Sequence, residues 1–273
     1  MWLNVPMPSI KISYSNENLK ADAETLAAKL GLGLQGSSGD EKVLPKADYL
    51  LTFKPSGLCL ESTQQGGHGP IRCDFDSGTI THRRKYGGGN GQSIAKAVGI
   101  SGKFMPHVLD LTAGMGSDGF VLAGLGCRLT LLERNSIVYS LLSDGLQRAR
   151  FAGMGDSGLA EVVARIDLLE ADSLTYLQSL ESVQLPDVIY IDPMFPARKK
   201  SAKVKKEMQV FHGIVGADED AAELLLLALQ RAKYRVVVKR SAAAGHLGEM
   251  APSYSREGKT TRFDVYALQR LPS

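Results

Sequence analysis

The chain has 273 residues, of which 44% are hydrophobic and 22% charged, a composition typical of a globular protein rather than a disordered or fibrous one. Its 32 lysines and arginines exceed its 29 aspartates and glutamates by three, which is only a weak indication of an anionic partner. The three cysteines have no C-x-x-C spacing and the longest apolar run is Leu224–Leu229, so we expect a cytoplasmic protein without disulfides, metal or membrane span.

Residues 1–98 are predicted to form a small α+β accessory unit. The apolar residues of Leu19–Leu32 recur on one face of a helix, which Gly31 ends. Strands are predicted at Asp48–Phe53, Leu58–Ser62 and Ile71–Asp76. A basic, glycine-rich stretch, Thr81–Gln92, leads into the short helical pattern Ser93–Val98.

From residue 99 to residue 273, strands alternate with helices, which predicts a mostly parallel sheet with crossover helices. The expected strands are His107–Leu111, Arg128–Leu132, Ile166–Leu169, Asp187–Ile191 and Arg235–Lys239. The expected helices are Gly119–Leu125, Ser136–Arg150, Leu174–Leu180 and Glu219–Lys233. A late antiparallel strand at Arg262–Leu268 closes the sheet. This pattern is typical of the α/β, Rossmann-like class I methyltransferases.

A glycine-rich loop follows the first of these strands. Gly114, Gly116 and Gly119 satisfy the pattern G-x-G-x-x-G, which alone is weak evidence for a nucleotide site. Glycines there permit a sharp turn, and the helix that opens at Ser117 offers free N–H groups to a ligand. Asp118 would repel a pyrophosphate, so the loop favours a ligand with positively charged groups.

Acidic residues end the first three strands. Asp110 precedes the glycine loop, Glu133 lies nineteen residues after Gly114, and Asp172 with Ser173 follows the third strand. Taken singly, each of these residues is about as often a helix cap or turn residue as a ligand-binding residue. Together they would line the carboxyl edge of the sheet. There, Glu133 would hydrogen-bond a ribose, and Asp172 and Ser173 would hydrogen-bond an adenine. S-adenosylmethionine, which has a sulfonium and an amine, fits this set of acids.

The fourth strand runs into Asp192-Pro193-Met194-Phe195. This tetrapeptide resembles the (Asp/Asn)-Pro-Pro-(Tyr/Phe) signature of methyltransferases that modify exocyclic amines of bases. The lone pair of such an amine is delocalised into the ring, so acceptors for its N–H groups, here the Asp192 carboxylate and the Pro193 carbonyl, increase its nucleophilicity. Phe195 is expected to stack on the base. The alternative is a simple Asp-Pro turn.

Two basic clusters are expected to contact RNA phosphates. The first is Arg83, Arg84 and Lys85, before a triple glycine. The second follows the Asp-Pro turn and contains Lys199, Lys200, Lys203, Lys205 and Lys206. A solvated helical face or a plain basic loop is the alternative for each cluster.

Five stretches combine these features in a more specific pattern: HRRKYGGGNGQSIAKAVGI, LDLTAGMGSDGFVLAGLGCRLTLLERN, YIDPMFPARKKSAKVKKEMQVF, RVVVKR and RFDVYAL. In them the chain resembles the RsmJ family of bacterial 16S ribosomal RNA (guanine-N2)-methyltransferases. The resemblance implies S-adenosylmethionine contacts at Ser117, Asp118, Glu133, Arg134, Asp172, Ser173 and Asp192. It also implies that the substrate is a guanine near the 3′ end of 16S rRNA, as naked RNA or in the small ribosomal subunit. Met194 departs from the broader signature, which has a second proline.

Other functions are compatible with parts of this pattern. The glycine loop and Glu133 also allow a nicotinamide-dependent oxidoreductase. The same fold could be a non-catalytic RNA-binding module, and the Asp-Pro-Met-Phe turn alone would also suit a DNA adenine methyltransferase.

Overall fold

The computed structural model describes residues 8–36, 47–64, 67, 69–75, 92–193, 214, 220–258 and 260–272. The described part of the chain divides into two compact units. The first contains the described residues up to Cys73, the segment Ser140–Gly145 and Ile214; the second contains those of Asp74–Tyr139, Leu146–Pro193 and Asp218–Ser273. The predicted domain boundary after residue 98 stays a prediction, because residues 76–91 lie outside the described part.

The first unit contains a three-stranded sheet of the order β1-β2-β3. Its elements are β1 (Ile10–Tyr14), α1 (Lys20–Leu30), β2 (Tyr49–Lys54) and β3 (Gly57–Ser62). Strand β1 pairs with β2 in parallel, and β2 pairs with β3 in antiparallel. Gly31 ends α1 with a φ of 64°, a conformation that glycine adopts without strain. The expected small α+β unit is confirmed.

One strand of this unit was missed and another was wrongly predicted. Strand β1 was not predicted, although Ile10, Ile12 and Tyr14 alternate with Lys11 and Ser13 as in a strand. A strand was expected at Ile71–Asp76, but within its described residues only Ile71 pairs, through a single bridge with Leu60.

The second unit is built on a seven-stranded sheet. Its strands are β4 (His107–Asp110), β5 (Arg128–Glu133), β6 (Ile166–Glu170), β7 (Val188–Ile191), β8 (Arg235–Ser241), β9 (Tyr254–Glu257) and β10 (Thr261–Ala267). They lie in the order β6-β5-β4-β7-β8-β10-β9. The first five are parallel, and β10 is antiparallel to β8 and β9. This topology confirms the Rossmann-like fold with a late antiparallel strand.

The helices follow the strands along the chain. They are α2 (Ser93–Val98), α3 (Ser117–Gly124), α4 (Ser136–Gly153), α5 (Ser157–Val163), α6 (Ser173–Ser179) and α7 (Ala221–Arg231). Short 3-10 helices are formed by Glu17–Leu19, Ser182–Gln184 and Leu247–Glu249. Helix α5 and strand β9 were not predicted. Strand β9 is polar and largely exposed, so it lacks the hydrophobic pattern of a core strand.

A continuous hydrophobic core packs one face of this sheet against α6 and α7. Its buried side chains include Leu109, Leu177, Ile189, Ile191, Leu224, Leu225, Ala228, Val236 and Val238. All four residues of β7 are buried, as expected for a parallel strand covered on both faces. Burying one such aliphatic side chain contributes about 1.5–3 kcal/mol. The core therefore fixes the central strands, whose carboxyl ends share one edge.

A buried carboxylate joins the closing strands. The fully buried Asp264 accepts hydrogen bonds from the Arg262 guanidinium at 2.7 and 2.9 Å and from Ser255 Oγ at 2.6 Å. His246 Nδ1 lies 3.1 Å from the same carboxylate. Burial by itself raises the pKa of Asp264, but these hydrogen bonds hold that pKa below its ordinary value. The network ties β10 to β9 and to the loop after β8.

We expect Asp264→Ala to lower the free energy of unfolding by about 3–5 kcal/mol, because it leaves the Arg262 charge buried without its partner. The matched control is Asp167→Ala, which removes an exposed ion pair with Arg128 and is expected to cost less than about 1 kcal/mol. Urea unfolding of both variants measures the difference. Equal losses in the two variants would contradict the assigned importance of the network.

Candidate active site

Residues far apart in the sequence meet at the carboxyl edge of the second unit's sheet. Asp110 ends β4, Glu133 ends β5, Asp192 directly follows β7, and Lys239 lies near the end of β8. Because these strands are parallel, their ends lie along one edge. The strand order reverses at β4, because β5 and β6 lie on one side of it and β7 and β8 on the other. Open α/β sheets bind ligands at such a switch point.

The glycine loop connects β4 to α3. Gly114 and Gly116 have φ values of 54° and 71°, in the left-handed region that favours glycine. A Cβ on Gly119 would lie 2.7 Å from Leu131 Cδ2, so this glycine permits close packing of α3 on β5. The exposed Ser117 and the partly exposed Asp118 begin α3. The loop thus brings backbone and a carboxylate to the sheet edge without steric obstruction.

Glu133 fastens this loop. Its side chain is buried, and its two carboxylate oxygens accept hydrogen bonds from Gly114 N (2.9 Å) and Asn135 N (2.8 Å). Sequence reasoning assigned Glu133 to a ribose, and that role stays a prediction. The structure adds a second role, since the same carboxylate holds the glycine turn against the end of β5.

Asp110 is an acid enclosed by protein. Only 3% of its surface is exposed, and its carboxylate accepts a hydrogen bond from Thr112 N at 2.9 Å. Burial raises the pKa of Asp110 to about 7; the Asp118 and Asp192 charges add to the increase, while Thr112 N–H and Lys239 oppose it. Its predicted contact with a cationic ligand is not tested by this geometry.

Three predicted cofactor contacts that follow β5 and β6 have partners within the protein. Asp172 caps α6, accepting from Thr175 N at 2.9 Å, and this hydrogen bond lowers the pKa of Asp172. The Ser173 hydroxyl donates to Leu111 O at 2.6 Å. The Arg134 guanidinium pairs with Asp220 at 2.7 Å, before α7. The predicted contacts of Asp172, Ser173 and Arg134 with the cofactor stay predictions.

Lys239 joins two of the predicted site acids. Its ammonium lies 2.7 Å from Asp118 Oδ2 and 2.7 Å from Asp192 Oδ2. Tyr190 OH donates to the same Asp118 oxygen at 2.7 Å. Burial by itself lowers the pKa of Lys239, but the Asp192 and Asp118 charges raise that pKa above its ordinary value. Burial and the same two charges raise the pKa of Tyr190, so its phenol keeps its proton.

The backbone of the Asp-Pro turn is also anchored. Asp192 N donates to Thr112 Oγ1 at 2.7 Å, which joins the start of the turn to the segment after β4. Pro193 is buried beside it. Phe195 lies outside the described residues, as do the two basic clusters of Arg83, Arg84, Lys85, Lys199, Lys200, Lys203, Lys205 and Lys206. Their predicted roles stay predictions.

Three members of the site were not singled out from the sequence: Thr112, Tyr190 and Lys239. Lys239 had a usable signal, because it lies near the end of the fifth predicted parallel strand, where the other strands carry site acids. Tyr190 lies within a hydrophobic run and Thr112 within the loop, and neither position differs from ordinary core or turn residues. Only their contacts with Asp118 and Asp192 distinguish them.

Comparison with known proteins decides between the candidate functions. A model of the SAM-dependent methyltransferase family matches residues 40–268. The ribosomal RNA small subunit methyltransferase J (RsmJ) of Cellvibrio japonicus is 49% identical over 267 residues, which cover 97% of this chain and 100% of that protein. The protein of the same name from Pseudomonas fluorescens SBW25 is 45% identical and covers 96% of both chains. This chain belongs to the RsmJ family.

A solved structure agrees with this membership. The crystal structure of a SAM-dependent methyltransferase from Neisseria gonorrhoeae has a TM-score of 0.68 and 35% identity, over 94% of this chain and 95% of that one. As an RsmJ-family member, the protein is an enzyme whose cofactor is S-adenosylmethionine. The oxidoreductase and the non-catalytic binding module are therefore not favoured.

The chemistry of the site fits this cofactor. S-adenosylmethionine has two positively charged groups, and the described edge has the partly exposed carboxylates of Asp118 and Asp192 as well as the buried carboxylate of Glu133. The left-handed Gly116 at the start of α3 leaves the loop without a Cβ at that position. Within the described ranges, no group of three or more acidic, cysteine or histidine side chains is arranged to hold a metal ion. No helix among those ranges is long and apolar enough to span a membrane.

The pKa of Asp110 makes a prediction about stability. Its pKa in the folded protein, about 7, lies above the ordinary 3.8 expected for the unfolded chain. Its contribution to stability is therefore full below about pH 4 and is lost as the pH rises through about 7. Asparagine does not titrate, so Asp110→Asn removes this loss. We expect the free energy of unfolding of the variant to rise by roughly 2–4 kcal/mol relative to that of the wild type as the pH goes from 4 to 8.

Urea unfolding at several pH values measures this difference on protein without cofactor. A difference in the free energy of unfolding that stays constant over this pH range would mean that the two stability curves are parallel. It would show that Asp110 titrates as an ordinary carboxyl group and that the substitution changes only hydrogen bonding. Asp167→Asn, at an exposed carboxylate, serves as the control and is expected to leave the pH dependence unchanged.

Proposed function

We propose that this RsmJ-family enzyme transfers the methyl group of S-adenosylmethionine to the exocyclic N2 of a guanine near the 3′ end of 16S rRNA. The observation that carries the proposal is the Asp192 carboxylate. It emerges from the central strand β7 at the ligand-binding edge, with its backbone N–H held by Thr112 and its side chain by Lys239. The relatives' printed name, ribosomal RNA small subunit methyltransferase J, supplies the substrate class.

The residues at this turn suit an amine as the methyl acceptor. The nitrogen lone pair of guanine N2 is delocalised into the ring, and hydrogen-bond acceptors for its two N–H groups return electron density to it. We assign these acceptor roles to the Asp192 carboxylate and the Pro193 carbonyl. The Asp192 side chain is 38% exposed, so a base can reach it. We assign the stacking of the guanine ring to Phe195, which would hold N2 in line for transfer.

The cofactor side of the site is assigned to the loop and the strand ends. When bound, S-adenosylmethionine supplies an electrophilic methyl group on a sulfonium, and no metal is needed for its displacement. Glu133 would hold the ribose, with Asp172 and Ser173 at the adenine. Asp118 would face a positively charged group of the cofactor. Arg134 would contact the cofactor at the end of β5.

The two basic clusters, one before β4 in the sequence and one between β7 and β8, are assigned to RNA phosphates. Phosphate contacts carry most of the affinity for RNA but no sequence information, so they orient the substrate while the Asp192 turn selects the base. Binding through such contacts weakens as salt increases. The clusters would act on naked 16S rRNA or on an assembled small ribosomal subunit, and we expect the enzyme to work in the cytoplasm.

The direct test uses labelled S-adenosylmethionine with two substrates from cells that lack this gene: small ribosomal subunits and protein-free 16S rRNA. We expect N2-methylguanosine, detected by nucleoside mass spectrometry, in at least one of them. The preferred substrate shows when in subunit assembly the enzyme acts. Methylation of another nucleoside, or none despite measurable cofactor binding, would overturn the proposed substrate.

Asp192→Ala is expected to lower kcat by at least about 100-fold, as for loss of a preorganised hydrogen-bond partner of the transition state. The fold should survive, because the Asp192 backbone contact with Thr112 does not involve the deleted carboxylate. Circular dichroism and thermal unfolding check the fold, and Asp167→Ala is the matched control with wild-type activity. Near-normal methylation by Asp192→Ala would exclude this residue from catalysis.

Glu133→Ala is expected to weaken S-adenosylmethionine binding by about 1.5–3 kcal/mol, the size of a hydrogen bond to a charged group. Calorimetric titration measures the dissociation constant. Since Glu133 also holds Gly114, Glu133→Gln is made alongside, because its amide oxygen can still accept one of the two backbone hydrogen bonds. Unchanged cofactor binding in Glu133→Ala would remove this residue from the cofactor site.

A further inference from the structure

Lys239 occupies an unusual position for a strand lysine. It belongs to β8, yet its ammonium lies 2.7 Å from Asp118 at the start of α3 and 2.7 Å from Asp192 after β7. Its partners are 121 and 47 positions away in the sequence. One side chain therefore joins the segment assigned to the cofactor to the segment assigned to the methyl acceptor.

This cluster differs from an ordinary surface ion pair. About a quarter of the Lys239 and Asp118 side chains is exposed (27% each), against 71% and 59% for the surface pair of Arg128 with Asp167. Tyr190 OH adds a second donor to Asp118 Oδ2. Both donors hold the Asp118 carboxylate in position, and the ammonium lies between that carboxylate and the carboxylate of Asp192.

The charges around Lys239 do not balance. Its immediate partners Asp118 and Asp192 already carry two negative charges, and the buried Asp110 lies close enough for both of them to raise its pKa. Removing the ammonium would take away a positive charge that lies 2.7 Å from both Asp118 and Asp192. A half-buried ion pair contributes little to stability on balance, since desolvation offsets much of its attraction. The arrangement is better explained by what it does to Asp192.

We propose that Lys239 is a positioning residue for methyl transfer, holding the Asp192 carboxylate ionised and oriented to accept an N–H of the guanine amine. This inference rests on the proposed function of Asp192. Lys239 acts through Asp192 and Asp118 and takes no methyl group or proton itself. Its long side chain reaches both acids from β8 while its backbone stays paired with Phe263 of β10.

The first consequence concerns the pH dependence of catalysis. Among the residues that the structure describes, four groups lie at the Asp192 carboxylate or at its neighbours: Lys239, Asp118, Asp110 and Tyr190. Lys239 is the cation among them, and an adjacent opposite charge typically lowers the pKa of a carboxyl group by about 1–3 units. Removing the ammonium should therefore let Asp192 bind a proton at higher pH. The acidic limb of the kcat profile would move upward by about 1 pH unit or more.

The second consequence is measured without catalysis. S-adenosylmethionine and S-adenosylhomocysteine share the adenosine, amine and carboxylate, and differ by the methyl group and one positive charge. Loss of the Lys239 charge makes the site more negative, which favours the sulfonium form. The ratio of the two dissociation constants should shift toward S-adenosylmethionine by at least about fivefold, since two unit charges up to about 15 Å apart interact by about 1 kcal/mol or more at an effective dielectric constant near 20.

The experiment compares Lys239→Met, Lys239→Gln and Lys239→Arg with the control Lys233→Met. Lys233 lies just before β8 and pairs with Asp187 at 3.5 Å, so the control removes a lysine charge from the same unit away from the site. Thermal unfolding shows which variants are folded. Calorimetry then gives the two dissociation constants, and methylation of the substrate that the wild type uses gives kcat and KM from pH 5 to pH 9.

The neutral variants should lower kcat by at least about tenfold with little change in the KM for RNA. They should also move the acidic limb and shift the ligand ratio. Lys239→Arg should keep the wild-type limb, since it keeps the charge, and Lys233→Met should match the wild type throughout. If Lys239→Met does not fold, Lys239→Gln is compared in its place, and if neither folds the role of Lys239 is structural and the proposal is wrong.

A folded neutral variant with an unmoved acidic limb and an unchanged ligand ratio would overturn the positioning role. An acidic limb that moves as far in Lys239→Arg as in the neutral variants would also overturn it, because the lost charge would then not be the cause. Failure of the proposed function gives a different result, in which the wild type methylates no guanine N2. In that case the ligand ratio still tests the electrostatic part of the inference by itself.

Discussion

Parallel pairing of five strands is the constraint on which the site depends. Parallel strands all end at the same edge, so the residues after β4, β5, β7 and β8 meet there regardless of their separation in the sequence. The hydrophobic core under β4, β7 and β8 holds those ends in register. A carboxylate placed by this packing keeps its position without a ligand, which limits the reorganisation needed during a reaction.

Concentrating acids at one edge creates an electrostatic problem that the fold solves in three ways. Backbone N–H groups neutralise part of the charge of Glu133, which accepts from Gly114 and Asn135. Burial favours the protonated form of Asp110. An ammonium, that of Lys239, lies between Asp118 and Asp192. Each of these acids therefore has a defined partner at the sheet edge.

Membership of the RsmJ family and the geometry of the site support each other from independent directions. The family establishes a SAM-dependent methyltransferase over nearly the whole chain. The geometry identifies which strand ends could hold the cofactor and which turn could receive the amine. Asp172 caps a helix and Glu133 fastens the glycine loop. The proposed cofactor contacts would add a second role to each of these side chains.

The sequence by itself determined the parallel fold, the late antiparallel strand, the glycine loop and the strand-end acids, because hydrophobic periodicity and turn residues are local signals. Strand β9 has no alternating hydrophobic pattern, whereas the alternating Ile10, Ile12 and Tyr14 of β1 were a signal that was overlooked. Only the tertiary structure decided that Lys239 reaches Asp118 and Asp192, across 121 and 47 positions of the chain. Such contacts depend on which strands become neighbours and on the side-chain directions there, and no local pattern encodes either.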